Sequence, residues 1–167
     1  MLKKTLITLI LTTALTMTAA DAPGTGHLNL TGSQKISTDF KIDGCSIDKP
    51  GKGIMAGYLM NSTETDPMLT GLTLQIPSYT QDGVFRSEPP DANQKPRPVK
   101  FSAVARLQRS DPFGSPLQQT NATTLIATIR DRGKSGTLEM HNVTWLLTKS
   151  SPLSGTMTWT CPSVKTY

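Results

Sequence analysis

Residues 122–148 read ATTLIATIR, then DRGKSG, then TLEMHNVTWLLT, two runs in which apolar residues recur mostly at every second position, joined by a glycine-bearing linker. Alternation at period two is the pattern of a half-buried strand. The glycines of the linker 131–136 can take the positive φ that a tight hairpin loop requires. The stretch therefore predicts a β-hairpin over 122–148. Within its second arm Leu138 and Met140 lie on one parity, whereas Val143, Trp145 and Leu147 lie on the other. A β-bulge near His141 and Asn142 would bring all five to the core side.

The same pattern extends outward from this hairpin. Short alternating runs predict strands near 26–32, 35–43, 53–60, 69–77, 82–87, 98–109, 122–130, 136–148 and 154–162. Gly, Pro, Asn or Asp separate them. In 99–109, Val99, Phe101, Ala103, Ala105 and Leu107 share a face, and Lys100, Ser102, Arg106 and Gln108 share the opposite one. Near the C-terminus Met157, Trp159 and Cys161 oppose Thr156, Thr158 and Thr160. The chain is rich in Thr, Ser, Gly and Pro, which disfavours helix. Many short strands at this spacing predict an all-β domain, an immunoglobulin-like two-sheet β-sandwich, with a small β-barrel as the alternative closure. Between the fifth and sixth strands, 87–98 holds Pro89, Pro90, Pro96 and Pro98 and almost nothing to bury, which predicts an exposed loop.

The N-terminus has a different character. Lys3 and Lys4 precede an apolar stretch from Thr5 to Met17, followed by the small residues Thr18, Ala19 and Ala20. These are the three parts of a secretory signal peptide, here expected over 1–20 with cleavage after Ala20, leaving 21–167 as a single domain. Spanning a ~30 Å hydrocarbon core needs about 20 apolar residues, more than this stretch supplies. Loss of Lys3 and Lys4 lowers the net charge from +5 to +3, too little to argue for an anionic partner. The expected location is secreted or periplasmic, and the Lys-Lys start with a threonine-rich apolar stretch points to a bacterial source. In such a compartment thiols pair, so Cys45 and Cys161, the chain's two cysteines, are expected to form a disulfide with Trp159 beside it. Closing so long a loop is worth roughly 4–5 kcal/mol on the chain-entropy model.

Candidate chemistry is sparse. The two histidines are His27, near the new chain start, and His141, at the expected bulge. Zinc ligation lacks material, and no Gly-x-Ser-x-Gly accompanies a serine nucleophile. Asp43-Gly44 and Asp82-Gly83 read as turn dipeptides, and Asp66-Pro67 and Asp111-Pro112 as turn starters. No cofactor is expected. Basic residues gather at Lys95, Arg97, Lys100, Arg106 and Arg109 and again at Arg130, Arg132 and Lys134. Few aromatics lie beside them, which argues against nucleic acid. Asn29, Asn61, Asn121 and Asn142 each begin an Asn-x-Ser/Thr triplet, frequent by chance in so Thr-rich a chain. The ending Gly155-Thr156-Met157-Thr158-Trp159-Thr160-Cys161, with Cys45 near the first strands, resembles small exported bacterial β-proteins, including some mycobacterial surface lipoprotein antigens. The resemblance covers one strand and a disulfide spacing, and the lipid-anchor cysteine of those antigens is missing here.

The sequence thus leads to a non-enzymatic binding domain for a cell-surface or periplasmic macromolecule. Its expected contact surface is the Pro-rich loop with Pro90, Lys95 and Arg97 and the hairpin tip with Arg130, Arg132 and Lys134. Two alternatives stand beside it. A small secreted hydrolase of glycans or esters would need a concave site holding His141 or two carboxylates within ~3–9 Å of each other or of a nucleophile. A secreted enzyme inhibitor would present a protruding loop.

Overall fold

The computed structural model describes residues 23–32, 35–49, 57–62, 69–77, 79–87, 99–105, 115–145 and 151–167. The expected signal peptide, most of the Pro-rich loop and the Asp66-Pro67 and Asp111-Pro112 dipeptides lie outside them. The described chain contains eleven strands in the order β1 Gly24–Thr31, β2 Ile36–Ile42, β3 Gly44–Asp48, β4 Gly57–Ser62, β5 Leu69–Ile76, β6 Gly83–Ser87, β7 Lys100–Ala105, β8 Ser115–Arg130, β9 Ser135–Trp145, β10 Leu153–Thr160 and β11 Val164–Thr166.

These form two sheets, of six and five strands, not closed into a barrel. One runs β6-β8-β9-β10-β1-β2 and the other β11-β3-β4-β5-β7. The barrel alternative is thereby excluded, and the fold is a β-sandwich. Strand β8 is long enough to serve both layers. Its start pairs with β7, Leu117 opposite Ala103, while its end pairs with β6, from Leu125 opposite Ser87 to Ile129 opposite Gly83. Its register against β9 breaks between Gln119 and Thr124, where the hairpin passes from one layer to the other.

Alternation places the core as expected. Leu28, Leu30, Phe40, Tyr58, Met60, Leu72, Leu74, Ile76, Leu125, Ile129, Leu138, Met140, Met157 and Trp159 are all buried between the sheets. Each such side chain contributes roughly 1.5–3 kcal/mol by leaving water. The bulge falls where the parity change requires it. Asn142 has φ 59°, Met140 pairs with Gly155, and Val143 pairs with Leu153, so two residues of β9 face one of β10. Leu138, Met140 and Val143 are buried together as a result.

Two strands escape the sequence reading. Asp43-Gly44 is not a turn but the place where the chain steps from β2 in one sheet to β3 in the other, with the Asp43 N–H donating to the Asn61 carbonyl at 3.0 Å. The short β11 adds to β3 in parallel, Val164 opposite Cys45. Cys45 on β3 and Cys161 just after β10 form the expected disulfide, joining the two sheets with a Cα–Cα distance of 6.1 Å.

Candidate functional site

The hairpin tip between β8 and β9 carries the most constrained backbone among the described residues. Asp131, Arg132 and Gly133 have φ of 57°, 58° and 82°, and the Lys134 N–H donates to the Asp131 carbonyl at 3.2 Å. Positive φ at both central residues of a tight turn suits glycine at 133 but strains arginine at 132, at a cost of order 1–2 kcal/mol.

Asp82 offsets that strain. Its carboxylate accepts the Arg132 N–H at 2.7 Å and the Gly133 N–H at 3.0 Å, and also the Tyr79 hydroxyl at 2.9 Å. One side chain thus binds two successive amides of the strained turn and ties the 79–82 segment to it. Partial desolvation of Asp82 works against its ionisation. The Arg132 N–H, the Tyr79 hydroxyl, the Gly133 N–H and the Arg132 charge together outweigh it, so its pKa lies below the ordinary carboxylate value. Burial, together with the neighbouring carboxylate, pushes the Tyr79 hydroxyl up to about 12.

Beneath Asp82 an aromatic column runs to the disulfide. The ring of Tyr79 lies 5.5 Å from that of Tyr58 and 5.7 Å from that of Phe85. Trp159 Nε1–H donates to the Tyr58 hydroxyl at 2.8 Å, and that oxygen sits 3.5 Å from Cys161 Sγ and 3.6 Å from Cys45 Sγ. Burial raises the Tyr58 pKa far above that of free tyrosine, so it is a neutral hydroxyl. The indole packs so closely on Gly136 that a Cβ there would collide with it. The Cys161 N–H donates to the Lys134 carbonyl at 2.7 Å, closing the other side of the tip.

Outside this column lies an open cleft of about 660 Å³, lined by Ile47–Lys49, Tyr79–Asp82, Arg132 and Thr166. Of the residues expected at the contact surface, Arg132 lines this cleft. Lys134 lines a smaller groove of about 310 Å³ with Thr25, Thr160 and Pro162. Arg130 is exposed at the end of β8 opposite Ser135. Lys100 is exposed at the start of β7 opposite Gln75, in the other sheet. Pro90, Lys95 and Arg97 lie outside the described residues, as do Arg106 and Arg109. Sequence reasoning missed Asp82, Tyr79 and Lys49. Asp82-Gly83 does precede β6 at a bend, but the amides that Asp82 binds, those of Arg132 and Gly133, stand 50 and 51 positions away, and no local pattern announces them.

A second constellation lies on the outer face of the six-stranded sheet. His27 pairs directly with Asp39 across β1 and β2, and Asn29 with Ser37. His27 Nδ1 is 2.7 Å from Asp39 Oδ1, and Ser37 Oγ is 3.4 Å from His27 Nε2. With Asp39 ionised, Nδ1 carries the proton and donates, which leaves Nε2 as the acceptor for the serine hydroxyl. His27 does not occupy a frayed chain end, because β1 is held between β10 and β2. His141, the histidine expected in a hydrolytic site, is exposed beside the bulge. Among the described residues, no three His, Cys, Asp or Glu side chains gather as a metal site, and no helix is long and apolar enough to cross a membrane.

No protein-family model, no curated protein and no solved structure matches this chain.

Proposed function

We propose that the chain is an exported binding domain that engages a cell-surface or periplasmic macromolecule through the hairpin end of the sandwich. The reading is carried by the Asp82 clamp, which holds Arg132 in a strained turn above the cleft that also contains Lys49. A surface whose loops are fixed before contact loses little ordering entropy on binding, and locally strained backbone concentrates at functional sites. The disulfide and the export-like N-terminus support an oxidising compartment. The Pro-rich loop, with Pro90, Lys95 and Arg97, belongs to the proposed contact surface by its composition alone.

The test is co-sedimentation of the mature domain with bacterial cell envelopes. The expected result is saturable binding that weakens at least tenfold in an Arg132→Ala, Lys49→Ala double variant, a loss of about 1.4 kcal/mol. Deletion of residues 88–96 should leave the fold intact and weaken binding as well. Undiminished binding by the double variant overturns the assignment of the surface.

A further inference from the structure

We infer that the outer face of β1 and β2 holds a serine hydrolase centre, with Ser37 as nucleophile, His27 as general base and Asp39 as the residue that positions the imidazole, acting on short acyl esters of polyhydroxylated alcohols. The inference is independent of the binding surface at the hairpin end. It rests on the order of contacts, Ser37 Oγ to His27 Nε2 and His27 Nδ1 to Asp39 Oδ1, at 3.4 and 2.7 Å. That order assigns each group its role in acyl transfer, and the longer Ser–His distance is usual before substrate binds. Cross-strand register sets the arrangement. Ser37 and Asp39 project from the same face of β2 and flank His27 on β1.

Beside His27 lies an open groove of about 570 Å³ whose exposed side chains include Thr25, Lys41, Thr158 and Thr160. Threonine hydroxyls donate and accept equally, which suits a polyol better than an apolar leaving group. Strand β2 ends its sheet, so alternate backbone N–H groups along it point away from β1. Such N–H groups are the donors that a developing oxyanion needs.

The chemistry balances without a cofactor. Ser37 Oγ attacks the ester carbonyl carbon while its proton passes to His27 Nε2. The tetrahedral oxyanion collapses, the C–O bond to the alcohol breaks, and the alcohol leaves with the proton from His27. Water then attacks the acyl-Ser37 ester, gives a proton to His27, and releases the carboxylic acid and the free serine. The His27 and Asp39 side chains are 46% and 91% exposed, so water screens the pair and the expected turnover is slow.

The experiment treats the mature chain with a fluorophosphonate and follows hydrolysis of p-nitrophenyl acetate and of a peracetylated monosaccharide. The expected result is one adduct, mapped by mass to Ser37, and hydrolysis that falls at least tenfold in Ser37→Ala and in His27→Gln. Asp39→Asn should lower kcat with KM unchanged, as loss of imidazole orientation requires. All three residues are on the sheet's outer face, so their loss should not unfold the domain, which circular dichroism checks. No adduct, an adduct on another residue, or a rate that survives Ser37→Ala overturns the proposal. A rate that depends on His27 alone overturns it too, since that is simple imidazole catalysis.

Discussion

Asp82 and Arg132, 50 positions apart in sequence, are joined by a 2.7 Å hydrogen bond from the Arg132 backbone N–H to the Asp82 carboxylate. Through that bond and its neighbour to Gly133, a loop before β6 holds the hairpin tip in a conformation that Arg132 would not adopt alone. Below this clamp come Tyr79, Tyr58, Trp159 and the disulfide. The candidate surface is therefore coupled to the core by a continuous chain of contacts.

Replacing Asp82 by Asn should destabilise the fold by about 1 kcal/mol, the scale of a charged hydrogen bond open to solvent. The sign with pH follows from the lowered pKa of Asp82. Its contribution is present above the unfolded carboxylate pKa, about 3.9, and is lost as pH falls through the lower folded value. Urea unfolding of both proteins should show the gap at pH 7 and its closure below about pH 4. A gap that widens in acid contradicts the clamp.

The Tyr58 hydroxyl accepts the hydrogen bond of the buried Trp159 indole N–H. Tyr58→Phe keeps the ring and strands that donor, so a loss of roughly 1–3 kcal/mol is expected. Thermal unfolding measures it, and near-ultraviolet circular dichroism should report a changed Trp159 environment. An unchanged midpoint would mean that another acceptor takes over.

The disulfide joins the two sheets directly. Cys45→Ala with Cys161→Ala should cost roughly 2–5 kcal/mol. Alkylation of the native protein without reductant should add no mass at either cysteine. Two labelled thiols would show that the protein in solution does not carry the bond.

Asn142 sits at the bulge with φ 59°, and its side-chain NH₂ donates to the Ala122 carbonyl at 3.2 Å. A β-branched residue tolerates that backbone poorly, so Asn142→Val should lose about 1–3 kcal/mol. Asn142→Gly keeps the backbone freedom and should lose less. If the two variants unfold at the same denaturant concentration, the backbone conformation is not what the asparagine supplies.

The alternation in 122–148, the parity break before Val143 and the two cysteines were enough to derive strands, hairpin, bulge and disulfide, because each depends on local periodicity or on a pairing with no competitor. Strand β3 was hidden because Asp43-Gly44, a turn dipeptide by composition, here lets one extended chain cross between sheets. Strand β11 was hidden because three residues carry too little periodicity to register. The clamp of Asp82 on Arg132 and Gly133, and the row Ser37, His27 and Asp39, were decided only by the tertiary structure. Both join side chains through the register of distant or neighbouring strands, and register is set by how the whole apolar face packs rather than by any residue's own neighbours in sequence.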